Sequence, residues 1–289
     1  GYKSLNAVTT ADNNVAIGSG AGEVTTSGSA NTIVGYQALN GDTDGDGADN
    51  TALGHKALHD AVSPSKNVAI GDSAMRVMNG TANGIADCVA IGANAFYGDA
   101  TNTTTGANGT VAIGKDSLKA LTSGSKNIAI GFDAMGDMQT GTNNIALGYE
   151  SMNALQGGDG SGGIAASANA GNHNIAIGTD AMGAVEGYRS TTEIDGNIAI
   201  GTNALLGGDL LNNNIDFIGN IAIGYNALDA TGNAQGMTGT IGIGYQALTA
   251  LTSGSQNTAV GYNNMLETTQ GSYNTTLGYN VMSQDAGLA

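Results

Sequence analysis

Tryptophan is absent from this chain, phenylalanine occurs three times and proline once. Without bulky side chains, 289 residues cannot fill a thick globular core. Cysteine also occurs once, at Cys88, so no intrachain disulfide holds the fold. Charge is sparse at 11% and one-sided: eight Lys plus Arg against 24 Asp plus Glu leave a formal net charge of -16. That balance excludes a basic patch for nucleic acid or for an anionic membrane surface. No apolar run reaches the ~18 residues of a membrane helix, and no charged-then-apolar leader is present, so neither membrane insertion nor a signal peptide is expected. A polar surface built mainly of Asn, Thr, Ser and Gly suits a virion or extracellular fibre better than a cytosolic enzyme.

Glycine is the opposite case, with 48 copies. Fifteen of them recur with the same neighbours, and the full unit reads Asn-x-Ala-Ile-Gly-Tyr-x-Ala-Leu, as at 220–228. They are Gly1, Gly18, Gly35, Gly54, Gly71, Gly92, Gly114, Gly131, Gly148, Gly178, Gly201, Gly224, Gly244, Gly261 and Gly278. The base interval is 17 residues, and longer intervals, up to 30, carry an insertion between the Ala-Leu or Ala-Met pair and the next asparagine. A unit this short cannot bury a core alone, so the units must stack, and a constant frame with variable length at one point per turn predicts a solenoid.

In Asn-Ile-Ala-Ile-Gly, at 174–178 and 197–201, strand alternation puts both isoleucines on one face and alanine on the other. The β-branched residues, and the few positions available before glycine, favour a strand over a helix. Both faces are apolar, as in a parallel strand buried on both sides. In a thin coil the second partner is expected to be another copy of the chain, with the small alanine allowing close approach. The recurrent glycine predicts a tight corner, with positive φ or a neighbouring backbone too close for a Cβ.

Asparagine fills the slot four before glycine in 11 of the 14 complete copies: Asn14, Asn31, Asn50, Asn67, Asn127, Asn144, Asn174, Asn197, Asn220, Asn257 and Asn274. Stacked coil on coil, these predict a ladder of amides that also caps the turn before the strand. Cys88, Thr110 and Thr240 take the other three positions. Seven of the ten tyrosines directly follow the glycine, which predicts an aromatic column. Pairs such as Ala38-Leu39, Ala74-Met75, Ala181-Met182 and Ala247-Leu248 would fill the second inward side of the coil, and Thr-Ser-Gly turns at 122–124 and 252–254 would return the chain.

These motifs resemble two families. The Asn-x-Ala-Ile-Gly strand is similar to the head repeats of trimeric autotransporter adhesins, whose left-handed parallel β-rolls associate as trimers. The longer unit, with Gly-Tyr-x-Ala-Leu and a Thr-Ser-Gly turn, resembles the repeats of phage tail fibres. The resemblance spans about residues 1–282 and implies an all-β fold: a parallel β-solenoid, left-handed, of about fifteen coils, packed or intertwined as a homotrimer. Because the chain opens in mid-repeat, at Gly1-Tyr2-Lys3-Ser4-Leu5, residues 1–289 read as one repeat solenoid within a longer fibre protein.

Sites for chemistry are few. Asp42, Asp44 and Asp46 followed by Gly47 make the first half of a calcium loop, but the acidic ligand such a loop requires is replaced by Leu53, so a solvated acidic loop is the better reading and no metal or cofactor is expected. His55 and His59 lie four apart, yet His55 occupies a tyrosine slot and no third ligand suggests itself. Asp72, Asp116, Asp133 and Asp180, each one or two residues after a repeat glycine, would line up for glycosidase chemistry, but Gln37, Gln246, Asn203 and Asn226 occupy the second of those slots equally, so the chain is not read as an enzyme. The long insertions within 155–172, 186–196, 206–219 and 229–239 are the expected recognition surface, with Tyr188, Arg189, Asp216 and Phe217 as ligand-contacting residues. The function expected is host attachment by a phage virion fibre, with a host cell-surface glycan or protein as partner. The alternative is a bacterial cell-surface adhesin or extracellular filament.

Overall fold

In a computed structural model the chain is an all-β parallel β-solenoid with no helix among the described residues. Those residues are 1–41, 45–77, 85–98, 106–155, 171–185, 193–207, 216–230 and 236–283. They form two compact units, Gly1–Gln139 and Thr140–Ala289. The first unit carries seven three-residue strands: β1 (Val15–Ile17), β2 (Thr32–Val34), β3 (Thr51–Leu53), β4 (Val68–Ile70), β5 (Val89–Ile91), β6 (Val111–Ile113) and β7 (Ile128–Ile130). The second carries β8 (Ile145–Leu147), β9 (Ile175–Ile177), β10 (Ile194–Asp195), β11 (Ile198–Ile200), β12 (Phe217–Ile218), β13 (Ile221–Ile223), β14 (Met237–Thr238), β15 (Ile241–Ile243), β16 (Thr258–Val260) and β17 (Thr275–Leu277).

Within each unit the strands preceding the repeat glycines pair in parallel and in register, so like stacks on like. Ala199, for example, lies between Ala176 and Ala222. The faces are reversed from the sequence expectation. Alanine does not look out toward a neighbour: Ala52, Ala69, Ala90, Ala112, Ala129, Ala146, Ala176, Ala199 and Ala222 are 0% exposed inside the coil. The flanking Val, Ile and Leu point outward, and Ile17, Ile130 and Ile177 remain 61%, 38% and 36% exposed. The coil's thinness is the cause. At β15 the middle residue is Gly242, and a Cβ added there would lie 3.1 Å from Leu228 Cγ and 3.3 Å from the Ala247 carbonyl oxygen. A wall that near suits alanine; β2 instead carries the fully buried Ile33, which fits because Gly22 stands where other coils place Leu or Met, and a Cβ at Gly22 would lie 2.8 Å from Ile33 Cδ1.

The opposite wall is the Ala-Leu or Ala-Met pair. Both members are fully buried in Ala38-Leu39, Ala74-Met75, Ala181-Met182 and Ala247-Leu248, which a strand with only one covered face could not achieve for adjacent residues. The backbone explains it. Gly54, Gly92 and Gly244 each accept a hydrogen bond from the amide three residues on, closing a turn whose third residue is left-handed: Lys56 (φ 53), Asn94 (φ 55) and Gln246 (φ 52). Two residues later Leu58, Phe96 and Leu248 are left-handed again, at φ 56, 49 and 57. A non-glycine residue in that region is uncommon and a bulky one is costly. Burial of a large side chain, worth about 1.5–3 kcal/mol, and intercoil bonds such as Leu58 N–H to the Ala74 carbonyl (2.9 Å) offset the strain.

The repeat glycine is required on both counts. At Gly201 φ is +128°, and a Cβ there would lie 2.6 Å from the Gly224 carbonyl oxygen one coil away.

In the second unit three insertions end in strands of their own. β10, β12 and β14 pair in parallel as a separate ladder, with Ile194, Phe217 and Met237 buried beneath it.

Candidate functional surface

The asparagine slot builds the coil's internal frame. Each buried amide makes two kinds of bond, and Asn197 shows both. Its Nδ2 donates to the Phe217 carbonyl at 2.7 Å, closing its own coil, and to Asn174 Oδ1 at 3.0 Å in the coil before. Its Oδ1 accepts from the backbone N–H and the Nδ2 of Asn220, at 2.9 and 3.0 Å. The carbonyl that closes the coil lies three residues before the next ladder position: Gly28 for Asn14, Gly47 for Asn31, Pro64 for Asn50, Ile85 for Asn67 and Gly271 for Asn257.

The exceptions keep part of this pattern. Cys88 N–H donates to Asn67 Oδ1 at 3.0 Å and its thiol to the Ala86 and Ala107 carbonyls, both at 3.3 Å. Burial pushes that thiol up to about 11 against smaller lowering by backbone hydrogen bonds from Thr110 and Gly109, so it is unreactive at neutral pH. Thr110 Oγ1 is buried with no hydrogen-bond partner. Thr240 Oγ1 reaches the Gly254 carbonyl at 3.5 Å.

The residues after glycine stack as columns. Tyr225, Tyr245, Tyr262 and Tyr279 lie nearly parallel, with centroids 5.3, 5.1 and 5.3 Å apart. His55 continues the pattern on Tyr36 at 5.7 Å, and its Nδ1 lies 3.1 Å from Asp72 Oδ1. His59 Nδ1 is 2.7 Å from Asp60 Oδ1, so the two histidines face different carboxylates and share no site. The slot two after glycine is the left-handed turn position, at φ 59, 54 and 53 for Asp116, Asp133 and Asp180. Asp and Asn are favoured there because their short polar side chains tolerate this conformation, while Gln37, Lys56 and Glu150 show that the slot also takes long polar side chains. Asp116 takes hydrogen bonds from Asn94 (2.9 Å) and Lys115 (2.6 Å), and Asp133 from Lys119 (2.7 Å).

Of the acidic loop, Asp46 is exposed, and Asp42 and Asp44 lie outside the described residues; among those residues no group of His, Cys, Asp and Glu could hold a metal. Tyr188 and Arg189 also lie outside them. Asp216 is exposed, but Phe217 is 2% exposed within β12, where it fills the coil and cannot meet a ligand. The apolar-polar-apolar alternation of Ile215, Asp216 and Phe217, close before the turn glycine Gly219, was the available sign that this insertion ends in a strand.

What sequence reasoning missed is the outer face of the strands. In both units the two outward rows of the strands that precede the repeat glycines consist of Val, Ile, Leu and Thr, with no charged residue among the described residues; in the second ladder the outward residue of β10 is Asp195. Compared with known proteins, the chain matches no family model and no curated protein.

Proposed function

We propose that this chain is a structural, receptor-binding segment of a phage virion fibre, a tail or head fibre that attaches to the host surface and catalyses no reaction. The observation that carries the reading is the contrast between frame and insertions. Ladder asparagine, corner glycine and inward Ala-Leu pair repeat from coil to coil and offer a ligand nothing distinctive, so recognition falls to side chains that vary on that rigid scaffold. On this reading about fifteen left-handed coils assemble as a homotrimer. A parallel sheet is ordinarily covered on both faces, and the Val/Ile rows are uncovered in one chain, which supports assembly of copies through them. The alternative, a bacterial cell-surface adhesin or extracellular filament, draws on the strand's likeness to adhesin heads. The partner is a host cell-surface glycan or protein.

The test is to shorten segments 156–170 and 208–215 until both coils return to 17 residues, keeping β12 whole. The melting temperature should hold within a few degrees while adsorption to host cells falls at least tenfold. Adsorption equal to the parent's would overturn recognition by the insertions.

A further inference from the structure

The first unit carries an open groove of about 370 Å³ lined by Ser73, Arg76, Asn94, Tyr97, Asp116 and Lys119. These are the second and fifth residues after Gly71, Gly92 and Gly114, three consecutive coils. The turn creates the groove. Ser73, Asn94 and Asp116 are left-handed (φ 57, 55 and 59), as are Met75, Phe96 and Leu118 (φ 50, 49 and 50). The third and fourth residues after glycine are thereby driven into the core, and the second and fifth stand on either side of an outer furrow. Two coil steps of about 4.8 Å each make it about 10 Å long.

Its polar groups are held in place. Asn94 Nδ2 donates to Asp116 Oδ1 at 2.9 Å, and Arg76 Nη1 to Tyr97 Oη at 3.1 Å, with the guanidinium 5.8 Å from the Tyr97 ring centre. Every charge has an opposite neighbour. Arg76 Nε lies 3.6 Å from Asp60; Lys119 Nζ lies 2.7 Å from Asp133 and 3.6 Å from Asp137; Asp116 lies 2.6 Å from Lys115. Burial alone would raise Asp116 and lower Lys119, but hydrogen bonds from Lys115 and Asn94, and to Asp133, outweigh it in each case. Both stay charged at neutral pH, and with Arg76, Lys115 and Lys119 set against Asp60, Asp116, Asp133 and Asp137 no cationic excess is left to draw an anionic ligand.

What it does present is a half-buried aromatic ring at its centre, ringed by hydroxyl, amide, carboxylate, guanidinium and ammonium groups. Its volume falls in the range of about 300–1,000 Å³ typical of ligand sites, although it is open. That set fits a sugar: an apolar ring surface packs on tyrosine, and adjacent hydroxyls meet a donor and an acceptor together. We propose that this groove binds a disaccharide-length stretch of neutral glycan. The proposal deepens the attachment reading and rests on it only for the glycan's being on a host surface.

Isothermal titration of the full chain with maltose, cellobiose, lactose and N,N′-diacetylchitobiose, beside sialyllactose as the acidic comparator, tests it. At least one neutral disaccharide should bind, at least tenfold more weakly to Tyr97→Ala and to Asn94→Ala. Should Tyr97→Ala melt early, Tyr97→Phe serves instead: it keeps the ring and removes only the hydroxyl, and a loss of a few-fold is expected. No neutral binding, tighter binding of sialyllactose, or affinity unmoved by all three substitutions overturns the groove. Disaccharide binding by a chain that adsorbs to no cell supports the groove and overturns only the attachment reading. Adsorption without disaccharide binding does the reverse.

Discussion

A single ladder asparagine serves four hydrogen-bonding partners, which makes the residue scale the most demanding in this fold. Replacing Asn197 by Leu strands the Phe217 carbonyl and the Asn220 amide groups inside the coil. The expected cost is about 1–3 kcal/mol in denaturant melts, against almost none for Asp216→Asn on the exposed surface. Equal costs would refute the ladder's contribution.

Asp229 makes the converse case. It is half-buried, no ion pair reaches it among the described residues, and burial holds its carboxyl above the ordinary carboxylate value. The unfolded chain releases this proton at lower pH than the folded chain does. The group's contribution to stability is therefore complete below the unfolded value and lost as pH rises through the raised folded one. Asp229→Asn should melt higher than wild type at pH 7, and the gain should vanish below pH about 4. Melts at the two pH values check it, and a gain that persists in acid would show another origin.

At the scale of the element, the three-residue strand carries two different demands on its two faces. The middle position is small where the wall behind it is Leu or Met and holds Ile33 where that wall is Gly22, and the outer positions must be β-branched or long enough to keep the strand extended. Ala222→Arg should unfold the coil, since it forces a charge into a fully buried site where nothing pairs it. Ile223→Lys points into solvent and should leave the melt within about 1 kcal/mol of wild type while weakening self-association. Sedimentation and circular dichroism on both variants separate the effects. A folded Ala222→Arg chain would contradict the inward assignment, and undiminished assembly of Ile223→Lys would move the interface off this face.

At the scale of the whole molecule, a chain of net charge -16 resists close approach of its own copies everywhere except where charge is missing. The outward Val/Ile rows are such a surface in each unit, as the strand sequences themselves state. Strand positions, corner glycines and the asparagine slot were legible without coordinates, because each coil meets the same local requirement and repetition exposes it. The direction each strand face points was not legible, because Ile-Ala-Ile is apolar on both sides and the choice depends on the space left by the opposite wall. The left-handed turn that buries Ala and Leu side by side, the burial of Phe217 under a second ladder, and the furrow beside Tyr97 share that cause. All arise where one coil closes on itself or on the next, so they follow from distances between residues 14 to 30 apart and from volumes that exist only once the solenoid is wound.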